Sequence, residues 1–267
     1  MSLSDLSIVD LIVGITYSIY ISVFIIIGIK IILKYIEHKH IELVSVGLTA
    51  ILISSVGWDN LYYFIHILLY GEPDELLFTF LIHTFRIFVP LALLLWMYSF
   101  TKLVPTEKKN QTIILIVYFI ILIISLIMYI FALLVDFSNI LGAGVETIFT
   151  IIYYMFLTVT LVFFMISILT TGVLIVRESS KSGDPKAKIK SNFLLSAFLI
   201  SSIATIIMQI SLSLSAQGGV YDQYHISPSV TLIFVITHIF IALSGILLYF
   251  GFFLPEKVYH RIKKSNN

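Results

Sequence analysis

Apolar residues fill seven long runs, separated by short stretches in which polar and charged residues collect. The runs cover residues 7–35, 42–70, 75–103, 111–136, 146–176, 191–216 and 229–254. Each exceeds the roughly 20 residues a helix needs to cross the hydrocarbon core of a bilayer. The pattern predicts an all-α, polytopic membrane protein: one domain over residues 1–267, built as a bundle of seven transmembrane helices.

Charge assigns the two sides. The first gap has Lys30, Lys34 and Lys39 at or near it, and the third has Lys102, Lys108 and Lys109. The fifth holds Arg177, Lys181, Lys186, Lys188 and Lys190, and the C-terminal tail holds Lys257, Arg261, Lys263 and Lys264. The N-terminus and the second, fourth and sixth gaps have no Lys or Arg and carry Asp5, Glu72, Asp74, Asp136 and Asp222 instead. Basic residues stay on the cytoplasmic side of a membrane. The expected topology is therefore N-terminus outside and C-terminus inside, in a multi-pass protein of the cell membrane.

Composition agrees. Of 267 residues 59% are hydrophobic and 12% charged, and mean hydropathy is +1.07. A soluble domain carries about 25% charged residues, so lipid must cover most of this protein's outside. The net charge of +1, with basic residues scattered between apolar runs, gives no hint of a nucleic-acid partner. Cysteine is absent, which removes disulfides, thiolate nucleophiles and thiolate metal sites. The first thirty residues lack the basic start and small-residue cleavage site of a signal peptide.

Arg86 is the one basic residue near the middle of a run, away from a wet end, with His83 and Pro90 about a turn to either side. A guanidinium at that depth costs at least about 2.5–3.5 kcal/mol on insertion scales, so it needs a protein interior and a partner. Counting inward at 1.5 Å per residue puts Arg86 and Asp59, on consecutive antiparallel helices, each about 16 Å from the outer ends. An Asp59–Arg86 ion pair is expected, since Arg forks onto carboxylates bidentately. Asp59, Tyr62, Tyr63 and His66 share one face of the second run, and Thr79, His83, Arg86 and Pro90 one face of the third. Pro90 is expected to kink its helix. Glu146, Thr150 and Tyr153 share a face of the fifth run, Ser202, Thr205, Gln209 and Ser213 a stripe of the sixth, and Thr231, His238, Ala242 and Gly245 a stripe of the seventh. The candidate ligand-binding set is Asp59, Tyr62, Tyr63, His66, His83, Arg86, Glu146, Tyr153, Gln209 and His238, in the outer half of the bundle. The bland reading stands beside it: an internal staple, with each histidine donating to a neighbour. The run 111–136 is nearly all aliphatic and reads as a lipid-facing helix.

Seven helices with an outside N-terminus match microbial rhodopsins in outline, but the last run holds no lysine to form a Schiff base. No retinal or other cofactor is expected. His66, His83, His238, Asp59 and Glu146 are the residue types of a metal-dependent intramembrane hydrolase, yet no HxxxH or HExxH pair occurs within a run. A transporter usually shows repeats and broken helices at the midplane, where only Gly57 and Pro90 qualify here.

Four stretches carry a family resemblance: VGLTAILISSVGWDN in the second run, FRIFVPLALLLWMYSF in the third, GDPKAKIKSNFLLSAF entering the sixth and LLYFGFFLPEKV closing the seventh. Together they resemble the seven-helix membrane domains of archaea that occur alone and as input modules of sensor histidine kinases. The resemblance spans about residues 40–260 and implies a sensor-like role with no catalytic residues. Unlike the kinase-linked form, the chain carries only a short tail after its last run, so output is expected through a separate cytoplasmic partner at the 177–190 loop and the tail. The expected function is a receptor or sensor, not an enzyme, that takes a small ligand or a proton in an outer-half polar cavity. The alternative is a small-solute or ion transporter or channel using the same cavity.

Overall fold

The computed structural model describes residues 8–70, 77, 80–81, 84–85, 87–104, 107–140, 147–216 and 228–265. The described elements are helices: α1 (Ile8–His38), α2 (Ile41–Ile53), a 3-10 segment (Ser54–Gly57), α3 (Trp58–Tyr70), α4 (Phe88–Leu103), α5 (Lys108–Ile140), α6 (Thr147–Lys181), α7 (Pro185–Ala216), α8 (Pro228–Phe252) and α9 (Glu256–Ser265). No strand occurs among the described residues. Among the described residues six helical stretches are long and apolar enough to cross a membrane, one of them formed by α2, the 3-10 segment and α3 together, while α4 is a shorter apolar helix. This is a multi-pass membrane protein.

Packing follows chain order. α1 lies against α2 and α3, α2 against α4, α4 against α5, α5 against α6, α6 against α7, α7 against α8, and α8 returns to α1. The elements therefore close into a ring. Side chains sort by helical period: on α1, Tyr17, Tyr20, Ile21, Phe24, Ile27 and Ile31 face inward, while Ile12, Ile15, Ile19, Ile26 and Leu33 face outward. Those outward aliphatics would be costly in water and are at ease in lipid. α5 is the extreme case, with Ile116, Phe119, Ile120, Ile123, Ile127 and Leu134 exposed, as its aliphatic composition predicts.

The structure departs from the sequence reading in three places. The run 42–70 is one span but not one helix, because Ser54–Gly57 tightens into a 3-10 turn. The loop expected over 177–190 shrinks to residues 182–184. Arg177, Glu178 and Lys181 continue α6 beyond its apolar run, since the Lys181 ammonium sits 2.6 Å from Glu178 and charged side chains favour a helix once it leaves the hydrocarbon. Gly183, at φ +71°, stops it, and Asp184 accepts the Lys186 N–H at 2.9 Å ahead of Pro185 in the first turn of α7, where no N–H is needed. The third departure is that the run 75–103 is not one helix: Thr84 and Phe85 are helical, Ile87 is a turn and α4 begins at Phe88. The interruption falls just ahead of Pro90, where the missing N–H of a proline bends or breaks a helix.

Candidate functional site

The 3-10 segment is built by its own sequence. Ser54 donates to the Ile51 carbonyl at 2.6 Å and accepts the Trp58 indole N–H at 3.0 Å, a local bond that competes with regular helix. The Trp58 backbone N–H then reaches the Ser55 carbonyl, three residues back. Gly57 lets a neighbour press close: a Cβ there would sit 2.7 Å from the Tyr17 ring and 3.2 Å from that of Tyr20. The Tyr20 hydroxyl donates to the Ile53 carbonyl at 3.0 Å. A span interrupted in this way is a common position for a hinge.

Immediately after the break, Asp59 is 4% exposed. One carboxylate oxygen accepts the Asn60 backbone N–H at 2.9 Å and the Asn60 side-chain N–H at 3.0 Å, and the residue makes further interactions. Tyr20 lies within electrostatic reach of it. Across from Tyr20, His238 of α8 is buried. Its Nδ1 donates to the Phe234 carbonyl at 2.7 Å, a contact that requires the proton on Nδ1. The His238 ring meets the Tyr17 ring edge-on at 4.4 Å and the Tyr20 ring at 5.7 Å, and stacks on Phe234 at 5.1 Å. Asp59 and His238 thus flank a tyrosine pair that joins α1, α3 and α8.

Tyr62, Tyr63 and His66 are half-buried on α3, with the His66 ring 5.5 Å from that of Tyr62 and 4.7 Å from that of Tyr70. His83, Arg86 and Glu146 lie outside the described residues, as do the side chains of Tyr153 on α6 and Gln209 on α7. Among the described residues no three His, Asp or Glu groups converge as metal ligands would. Tyr17 and Tyr20 were missed by sequence reasoning. Their signal was available: two hydroxyl-bearing rings three residues apart, on one face of the first run.

A cavity of about 50 Å³ lies on the bundle axis, next to this cluster. Phe24, Thr49, Trp96, Phe164, Phe198 and Ser244 are among its walls, so α1, α2, α4, α6, α7 and α8 all contribute. Of the candidate ligand-binding residues with described side chains (Asp59, Tyr62, Tyr63, His66 and His238), none lines it. Toward the α9 end, Ile31, Leu93, Met97, Phe100 and Leu194 belong to the same buried apolar cluster as the wall residues Trp96, Phe164, Ile168 and Phe198. The Trp96 indole N–H is committed to Thr171 Oγ1 at 2.9 Å.

No family model matches this chain, and no curated protein or solved structure matches it either.

Proposed function

We propose that this protein is a seven-helix receptor or sensor of the cell membrane, with its N-terminus outside and its C-terminus inside. It takes a small ligand or a proton at the outer-half cluster around Asp59 and His238 and answers by rearranging helices. The observation that carries this reading is the interruption at Ser54–Gly57, set directly against the buried carboxylate of Asp59. Intramembrane ionisable groups are functional candidates by default, and here one sits beside the least regular turn of the second span. A change at Asp59 would be felt at once by Tyr17 and Tyr20 of α1. Arg86, His83, Glu146, Tyr62, Tyr63, His66, Tyr153 and Gln209 complete the proposed set on sequence grounds.

The apolar core toward the α9 end favours a blind cavity over a through-path, and so a receptor over a transporter. The resemblance to archaeal sensor input domains points the same way. Output passes to a cytoplasmic partner at the short 182–184 turn and α9. Reconstituted vesicles separate the two readings: stable binding without flux supports a receptor, whereas solute accumulation or ion current makes the protein a transporter. Reporter fusions in the 71–74 gap and after Lys264 test the topology and should report opposite sides.

A further inference from the structure

The axial cavity is separate from the polar cluster, and its walls define what it accepts. Four aromatic rings (Phe24, Trp96, Phe164 and Phe198) and the aliphatic Val46, Ile53, Ile168 and Leu248 supply most of the lining. Most of the polar hydrogens nearby are already spent, and the Ser201 hydroxyl, the one wall hydroxyl with no bond among the described residues, is by itself short of the two partners a buried water needs. Thr49 Oγ1 faces the carbonyls of Ser45 at 2.9 Å and Ala92 at 3.2 Å. The Ser244 hydroxyl donates to Ile241 at 2.7 Å, and the Trp96 indole N–H is held by Thr171. A buried water needs two to four polar partners, and an apolar cavity without them stays dry. Volume then sets the size of an occupant. At about 50 Å³ the space is well below the roughly 150 Å³ of an apolar cavity that takes benzene.

We propose that this cavity is a binding site for a small apolar molecule, smaller than benzene and without hydrogen-bonding groups. Such molecules concentrate in the hydrocarbon of a bilayer, so the site is supplied from the lipid. Filling it adds contacts with six elements at once, including α2 just before the 3-10 hinge and α8 below His238. Occupancy therefore favours the packed arrangement of the bundle by its differential affinity for that state. This consequence rests on the receptor reading above; the binding itself does not.

Xenon is the probe. The full chain carrying Trp58→Phe keeps Trp96 as its only indole, on the cavity wall. In nanodiscs under rising xenon pressure, the Trp96 fluorescence lifetime should shorten with a saturable dependence. Ala197→Leu, which fills the cavity from α7, should abolish the saturable part, and Ser201→Leu should do the same if Ala197→Leu fails to fold. Ile166→Leu, on the lipid-facing side of α6, should leave it intact. A lifetime that falls linearly with pressure, equally in the parent and the filled variants, means that xenon is only dissolved in lipid and overturns the proposal. Xenon reports on the cavity alone. Loss of signalling in Asp59→Asn with xenon saturation retained would therefore bear on the receptor reading and leave this site standing, and the reverse pattern would do the opposite.

Discussion

Gly28 of α1 and Gly47 of α2 meet backbone to backbone: a Cβ on Gly28 would lie 2.6 Å from the Gly47 carbonyl oxygen, and one on Gly47 would lie 2.5 Å from that of Gly28. The neighbour in each case is main chain and cannot turn aside as a side chain can. Small residues of this kind are what let membrane helices approach closely.

Gly47→Ala should therefore destabilise the bundle by about 1–3 kcal/mol, the usual cost of overpacking. A thermal melt in detergent measures it, with Leu48→Ala on the exposed side as the control. If Gly47→Ala melts with the parent, the crossing is looser than described.

Trp96 and Thr171 tie α4 to α6 through a buried hydrogen bond of 2.9 Å. Thr171→Val keeps the shape and strands the indole N–H, which should cost about 1–3 kcal/mol. The Trp96 emission should also shift, because its partner is lost. An unchanged melt and spectrum together would mean that the bond contributes nothing.

Asp59 is expected to pair with Arg86. Breaking a buried pair from one side costs about 3–5 kcal/mol in soluble precedents, so Asp59→Asn and Arg86→Gln should each lower the melting temperature. The double change should recover part of the loss, because neither charge is then stranded. Strictly additive losses would show that the two residues do not interact, and Glu146 would become the next partner to test.

Lys186 of α7 donates to Glu256 of α9, and its ammonium also lies 5.9 Å from the Tyr259 ring. The bond from Lys186 is the main reason the Glu256 carboxyl is held below its usual pKa. A carboxyl depressed on folding stabilises the contact above its unfolded pKa, about 4.3 for Glu, and that contribution is lost as pH falls through the depressed value. The protection of α9 amides against hydrogen exchange, taken relative to the unfolded rate at each pH, should fall over that acidic range in the parent, and Glu256→Gln should remove that change in protection. The effect should weaken with salt, since Glu256 is exposed and Lys186 only partly covered. An identical profile in Glu256→Gln would assign the pH response to another group.

The class of the protein was legible because its cause is local. A span must be long and apolar to sit in hydrocarbon, and that can be counted residue by residue along the chain. The lipid face of α5 and the inward stripe of Thr231, His238 and Ala242 on α8 followed from the helical period alone, and the structure buries that stripe. Burial of Asp59 was also within reach, because its depth could be counted from Tyr70.

What the chain order could not show is which helices meet, and at what height. The tyrosine pair beside Asp59 lies 39 positions away at Tyr20, and His238 lies farther still; only closure of α8 onto α1 brings them together. The 3-10 break at Ser54–Gly57 was hidden because its apolar surroundings continue the helical pattern, while its cause lies partly in the Tyr17 ring pressed on Gly57. The axial cavity is more remote again. Six elements each contribute ordinary core residues to it, and a void exists only in how their volumes fail to fill the shared space. Composition records what must be buried, but the shape left between buried surfaces is decided by tertiary packing.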